Sequence, residues 1–126
     1  MKTTLFLDTY AIFELIRGHN NYAPYKTGYS FVTTRFNLME LYYNLLLDGA
    51  TKEKAKEYFD RFIQFVVPVD DDTLLESLNK RSEHRKKKMS YFDWIGYTTA
   101  LRLGVRFLTG DEDFRGFEQV EFVKGD

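Results

Sequence analysis

The sequence predicts an α/β fold, a three-layer sandwich in which a mostly parallel central sheet is flanked by helices. Two observations predict it. Short runs rich in β-branched and aromatic residues alternate with longer segments whose apolar residues recur at helical spacing. The chain has 126 residues, 44% of them hydrophobic, which is enough for one packed core and too short for two. Repeats, low-complexity tracts and Pro/Gly-rich linkers are all missing, so residues 1–126 read as a single domain.

The elements follow in order. Residues 3–7 (TTLFL) predict a first strand, and residues 9–17 a short helix with Ile12, Leu15 and Ile16 on one side and Gly18 as its stop. Residues 18–29, rich in Asn, Gly, Tyr and Pro, predict a loop, and residues 30–33 (SFVT) a second strand. Residues 35–48 form a helix apolar on nearly every face, expected to be buried on most sides and to end at Asp48-Gly49. Thr51 caps the next helix, whose Ala55, Tyr58, Phe59, Phe62 and Ile63 share one stripe. Residues 65–69 (FVVPV) predict a strand, with Pro68 assigning it to an edge. Residues 70–72 offer acidic caps to a helix with Leu74, Leu75 and Leu78 facing inward. Ser90 caps a helix over 91–103 that stops at Gly104. A strand at 105–109, a turn at 110–113 and a last strand at 120–124 complete the chain.

Composition excludes several chemistries. The absence of cysteine removes disulfides, thiol nucleophiles and thiolate zinc sites. His19 and His84 lack metal-ligand spacing, and the sequence contains no GxSxG, GxGxxG or P-loop motif. The apolar N-terminal stretch is broken by Asp8 and Glu14, so neither a signal peptide nor a membrane span is expected, and a cytoplasmic location is the default. The net charge of -1 is unevenly spread: residues 80–88 (KRSEHRKKK) carry a local +5, leaving -6 on the remainder.

Carboxylates supply the candidate site. Asp8 directly follows the first strand, and open parallel sheets bind ligands beyond the carboxyl ends of their strands. An N-cap for the helix at 9–17 is the simpler role for it. Glu40 lies in an apolar helix, where a carboxylate must be paired with an arginine, hydrogen-bonded or metal-bound. Asp93 stands three residues after Ser90, the spacing of a capping box, and also at the mouth of the same site. Asp111 and Asp113 lie beyond the strand at 105–109, so they converge on Asp8 if the two strands are neighbours. Clustered carboxylates repel unless cations or protons intervene, and an oxygen-only ligand set selects Mg²⁺ or Mn²⁺. Thr9 and Thr109 flank the acids; their hydroxyls orient a water or ligand, or simply serve strand and cap. Arg85, Lys86, Lys87 and Lys88 precede Asp93 and suit an RNA backbone, although a charge run is more commonly a solvated helix face. Arg17, Arg35, Arg102 and Arg115 are isolated and weigh less.

Four segments in order, FLDTYAIFELI, TTRFNLMEL, SYFDWIGYTTAL and FLTGDEDF, resemble the PIN-domain family over essentially the whole chain, specifically the VapC toxins of VapBC toxin–antitoxin pairs. The resemblance implies a parallel sheet sandwiched by helices, with Asp8, Glu40, Asp93 and Asp111 binding Mg²⁺ or Mn²⁺ and Asp113 as a supporting acid. It implies endoribonuclease activity that inhibits growth, a cognate antitoxin that blocks the site, and a homodimer. Trp94 departs from the family, which more often has a small residue there, and Tyr97, Thr98 and Thr99 make that helix bulkier. The alternative is a non-catalytic PIN-like module that binds RNA or protein. A phosphotransfer domain fits less well, because Tyr10 stands where a haloacid-type phosphatase carries its second Asp and no second acid pairs with Asp8 as in a receiver.

Overall fold

A computed structural model describes residues 2–125. Four strands, β1 (Thr3–Leu7), β2 (Tyr29–Val32), β3 (Arg106–Thr109) and β4 (Val120–Phe122), form one sheet in the order β2-β1-β3-β4, every neighbouring pair parallel. Leu5 of β1 stands opposite Phe31 and Arg106, and Leu7 opposite Leu108. The helices are α1 (Thr9–Arg17), α2 (Arg35–Leu47), α3 (Lys52–Phe62), α4 (Asp71–Glu83) and α5 (Tyr91–Leu103), with short 3₁₀ turns at Asn20–Tyr25, Ile63–Phe65 and Glu112–Phe114.

Alternation along the central strands makes the three layers. Leu5, Leu7 and Leu108 pack with Ala11 and Ile12 of α1, Leu38 and Leu41 of α2, and Phe62 of α3. Phe6 and Phe107 point the other way, stack at 5.4 Å, and pack with Trp94, Tyr97 and Ala100 of α5 and with Phe114. Because all strands run one way, β1 and β3 end side by side at the same edge of the sheet. Asp8 and Asp111 are therefore brought together by topology.

The expected caps form. Thr51 accepts from the Lys54 N–H at 3.1 Å, and Gly18 and Gly104 close α1 and α5 in left-handed conformation. The segment 18–29 is more ordered than a loop. Its 3₁₀ turn buries Tyr22 completely, and the Tyr22 hydroxyl donates to the Val123 carbonyl at 2.8 Å.

Three expectations are corrected. Residues 65–69 do not form a strand; their link to the sheet is one parallel bridge between Thr33 and Val66, with the Val67 N–H donating to the Thr33 carbonyl at 2.9 Å. The neighbouring segment caps α2 at Thr34 and turns helical at Arg35, so no strand remains beside residues 67–69 to extend that bridge into a ladder. Leu75 and Leu78 are 59% and 44% exposed, while Thr73 and Ser77 are the buried residues of α4. Ser77 Oγ donates to the Thr73 carbonyl at 2.7 Å, so two short side chains with satisfied hydroxyls form the face of α4 that lies inward. Lastly, α2 is not buried on most sides: Asn37, Leu38 and Leu41 are its buried residues, and Met39, Tyr43 and Leu47 form an exposed apolar stripe.

Candidate active site

Asp8 occupies the N-cap position of α1, yet its side chain makes no capping bond. The carboxylate is 3% exposed and accepts the Thr109 hydroxyl at 2.6 Å. Thr109, the last residue of β3, also accepts the Asp111 N–H at 3.1 Å, so one hydroxyl ties the ends of two neighbouring strands. This gives Thr109 a definite role beyond strand propensity. Asp111 in turn caps the 3₁₀ turn, accepting the Asp113 N–H at 3.0 Å. Gly110 between them is obligatory, because a Cβ there would overlap the Val123 carbonyl oxygen and the Tyr10 ring.

Glu40 reaches the site from α2, half-buried and beside the Thr9 hydroxyl. Thr9 Oγ1 accepts from Asn37 Nδ2 at 3.2 Å and also lies within donating distance of the Asn37 carbonyl, at 3.4 Å. Asn37 is 1% exposed and is itself held by the Thr34 hydroxyl at 2.6 Å. α5 closes against this group at Gly96, where a Cβ would lie 3.2 Å from both Asn37 Oδ1 and Phe6.

Asp93 does both things its position allows. It forms the complete capping box with Ser90, its carboxylate accepting the Ser90 N–H at 2.9 Å. It also faces the other acids. Burial pushes its carboxyl up to about 6; the Ser90 N–H opposes the rise, and Glu40 and Asp111 add to it. Asp8 is raised well above the ordinary carboxylate range, first by burial and then by Asp93, with Thr109 opposing and Glu40 and Asp111 contributing further. Burial raises Glu40 as well, the Thr9 bond opposes, and Asp111 adds repulsion. Four carboxylates from four elements thus share one field of mutual repulsion. Among the described residues, no three acids close on a common point as a ready coordination shell.

Asp113 lies exposed at the rim and is absent from the charges that perturb Asp8, Glu40 and Asp93. The basic run reaches the same rim. Residues 82–88 are exposed, and Lys87 Nζ donates to the Asp113 carbonyl at 3.5 Å. Arg85, Lys86 and Lys88 stand beside it in the chain. Three of the four isolated arginines are engaged elsewhere: Arg17 with Glu14 and Asp48, Arg102 with Glu76, Arg115 with Glu112.

Asn37 and Glu14 are among the buried polar residues that the sequence does not single out. Asn37 is one polar position in an apolar helix, and only its place one turn before Glu40 hints at a supporting role. Glu14, 4% exposed on α1, pairs with Arg17 and His19 away from the acid cluster. Its signal is the one it shares with Glu40, a carboxylate in an apolar helix.

A family model described as PIN domain matches residues 5–120. No curated protein matches the chain. Among solved structures, the chain resembles VapC20 of Mycobacterium tuberculosis, described as a sarcin-ricin loop cleaving toxin, with a TM-score of 0.74 at 18% identity over 93% of this chain and 98% of that one. A toxin–antitoxin complex from Klebsiella pneumoniae superposes with a TM-score of 0.71 at 17% identity, covering 93% of this chain and 95% of the other. VapBC2 from Rickettsia felis, bound to a DNA fragment from its promoter, gives 0.70 at 16% identity, covering 98% of this chain and 100% of that one.

Proposed function

The chain belongs to the PIN-domain family, and from that premise we propose that it is a divalent-metal-dependent endoribonuclease, the toxin of a toxin–antitoxin pair, with residues 1–126 as one nuclease domain. The observation that carries the reading is the set of four carboxylates, Asp8, Glu40, Asp93 and Asp111, held at one edge of the sheet against their mutual repulsion. Three of them have carboxyls raised by burial and by one another, a field that a cation relieves.

The donor set fits a hard ion. All four groups are carboxylates and the chain has no cysteine, which suits Mg²⁺ or Mn²⁺. Asp8, Glu40, Asp93 and Asp111 would hold it, with Asp113 at the rim orienting a water. When bound, such an ion supplies activation of water and stabilisation of the leaving oxygen in phosphodiester cleavage. The protein's own part is positioning. Thr109 fixes Asp8 and the Asp111 loop together, Thr9 orients Glu40, and the capping box fixes the Asp93 carboxylate at the start of α5. Arg85, Lys86, Lys87 and Lys88 would neutralise the RNA backbone as it approaches an otherwise repulsive acidic centre.

A protein antitoxin is the partner this reading implies, and the exposed Met39, Tyr43 and Leu47 on the helix that carries Glu40 offer apolar surface for one. The outward Leu75 and Leu78 of α4 support a homodimer through that face. No helix among the described residues is long and apolar enough to cross a membrane.

The test incubates wild type and Asp93→Asn with a mixed RNA pool in Mg²⁺, in Mn²⁺ and in EDTA. Cleavage by the wild type alone, and only with metal, is the expected result. Cleavage that survives in Asp93→Asn would remove the carboxylate centre from the mechanism, and metal binding without cleavage would favour a binding module.

A further inference from the structure

Thr109 ties Asp111 to the end of β3 from within the acid centre. A second set of contacts grips the same loop from outside. Residues 123–125 leave β4 and run between that loop and α1. The Val123 N–H donates to the Thr109 carbonyl at 2.8 Å, which extends the β3–β4 pairing past Phe122. The Val123 carbonyl accepts the Tyr22 hydroxyl at 2.8 Å, and the Lys124 carbonyl accepts Asn21 Nδ2 at 2.9 Å. The Gly125 N–H donates to the Tyr10 hydroxyl at 2.9 Å. Gly125 lies so close to Glu14, the buried acid outside the cluster, that a Cβ would overlap its carboxylate. Each of these backbone groups is taken by the protein rather than left to water.

The Lys124 side chain completes the grip. Its Nζ donates to the Gly110 carbonyl at 3.3 Å and lies 3.5 Å from Glu112 Oε1, so one cation contacts the residues on both sides of Asp111. Gly110 itself is wedged between the Val123 carbonyl and the Tyr10 ring, which leave no room for a Cβ. Tyr10 stands in the first turn of α1, the helix that Asp8 precedes, so the same contacts set the Asp111 loop against the element that begins at Asp8. From this arrangement we propose that residues 123–125 are a strap, with Lys124 and Tyr10 as positioning residues that hold Asp111 in register with Asp8. Both act through Gly110 and Glu112 rather than on the reacting atoms. The inference rests on the nuclease reading and adds to it the part of the chain that keeps one of its acids in place. The sign of one effect separates this role from plain electrostatics. Removing a cation near an acidic centre, on Coulombic grounds alone, tightens the binding of a divalent ion. Loosening the strap frees Asp111 and weakens it.

The full-length protein is compared with Lys124→Met, Lys124→Arg and Tyr10→Phe; the last keeps the ring and every charge and removes only the hydroxyl that accepts the Gly125 N–H. In EDTA, amide exchange followed by NMR is expected to quicken at Asp111 and Asp113, about fivefold in Lys124→Met and about twofold in Tyr10→Phe, the scale of an exposed ion pair and a single hydrogen bond. The amides of β1 and β3 should keep their wild-type rates, because the loss is local. Calorimetric titration with Mn²⁺ should show weaker binding by about the same factors, and Lys124→Arg should restore both readouts toward wild type. Cleavage of RNA at limiting Mn²⁺ should fall in parallel. Tighter Mn²⁺ binding by Lys124→Met would overturn the strap in favour of simple charge removal, and exchange that quickens evenly across the sheet would overturn it in favour of general destabilisation. Exchange at Asp111 and Asp113 unmoved by Lys124→Met and Tyr10→Phe, in a protein that binds Mn²⁺ and cleaves RNA, would refute the strap and leave the nuclease standing. A wild type that neither binds Mn²⁺ nor cleaves would overturn the nuclease reading, and the catalytic purpose of the strap with it.

Discussion

Asp93→Asn should stabilise the metal-free fold at neutral pH even though it removes half of a capping box. The Asp93 carboxyl ordinarily titrates at 3.8 and is pushed up to about 6 in the fold. A folded value above the unfolded one means that the protonated form is favoured by the fold. The stability associated with it is therefore fully present below 3.8 and is lost as the pH rises through 6. Above pH 7 the ionised group withholds about 3 kcal/mol, taken at about 1.4 kcal/mol for each tenfold change in proton affinity. An amide carries no charge and escapes that penalty. It holds the Ser90 N–H less well than the carboxylate that now accepts it at 2.9 Å, a loss of about 1 kcal/mol. The net gain is about 2 kcal/mol at pH 7.5, or roughly 6–12 °C in melting temperature for a domain of this length. Linkage with the same two values leaves about 1 kcal/mol of penalty at pH 4.5, so the gain and the lost cap cancel there. Thermal melts of wild type and Asp93→Asn in EDTA at pH 7.5 and 4.5 measure both. A variant that melts below wild type at pH 7.5, by a margin unchanged at pH 4.5, would refute the claim that burial, with the neighbouring acids, disfavours the Asp93 charge in the absence of a cation.

Other perturbations probe the remaining parts. Mn²⁺ or Mg²⁺ should raise the melting temperature of wild type in proportion to the logarithm of its concentration, and Asp8→Asn should blunt that rise, as read by the same melts with added metal. Gly110→Ala should destabilise the fold by at least about 2 kcal/mol, because its Cβ would strike the Val123 carbonyl and the Tyr10 ring, neither of which can yield without moving the end of β3; chemical denaturation gives the difference. Lys86→Glu should weaken RNA binding and reduce the slope of log affinity against log salt by roughly one to two, measured by anisotropy in EDTA across a salt series. Leu75→Glu should shift the sedimentation of the protein toward the monomer while leaving its circular dichroism unchanged, since the side chain is already 59% exposed.

What is legible in the sequence and what is not divides along a physical line. Signals confined to a few neighbouring residues survive folding: Thr51 and Ser90 as caps, Gly18 and Gly104 as left-handed stops, and the strand-end positions of Asp8 and Asp111. Signals whose meaning depends on a partner element do not. Leu75 and Leu78 read as core because leucines at helical spacing usually are, yet the inward face of α4 belongs to Thr73 and Ser77. Residues 65–69 have strand composition but meet the sheet at a single bridge, because the neighbouring segment turns into α2 just beyond Thr33. Asn37 cannot be weighed without knowing that Thr9 and Gly96 converge on it from two other parts of the chain, beside the cap Thr34 of its own helix. The double use of Asp93 is the instructive case. Capping and site roles compete as readings of one position; the structure shows the cap, and the box that starts α5 also fixes the carboxylate beside Glu40 and Asp111. A cap needs its carboxylate to face the start of the helix, and the start of α5 lies at the edge of the sheet where β1 and β3 end. Local helix chemistry and long-range site geometry therefore ask the same thing of one side chain, and Asp93 can meet both only while its neighbours' charge is tolerated or neutralised.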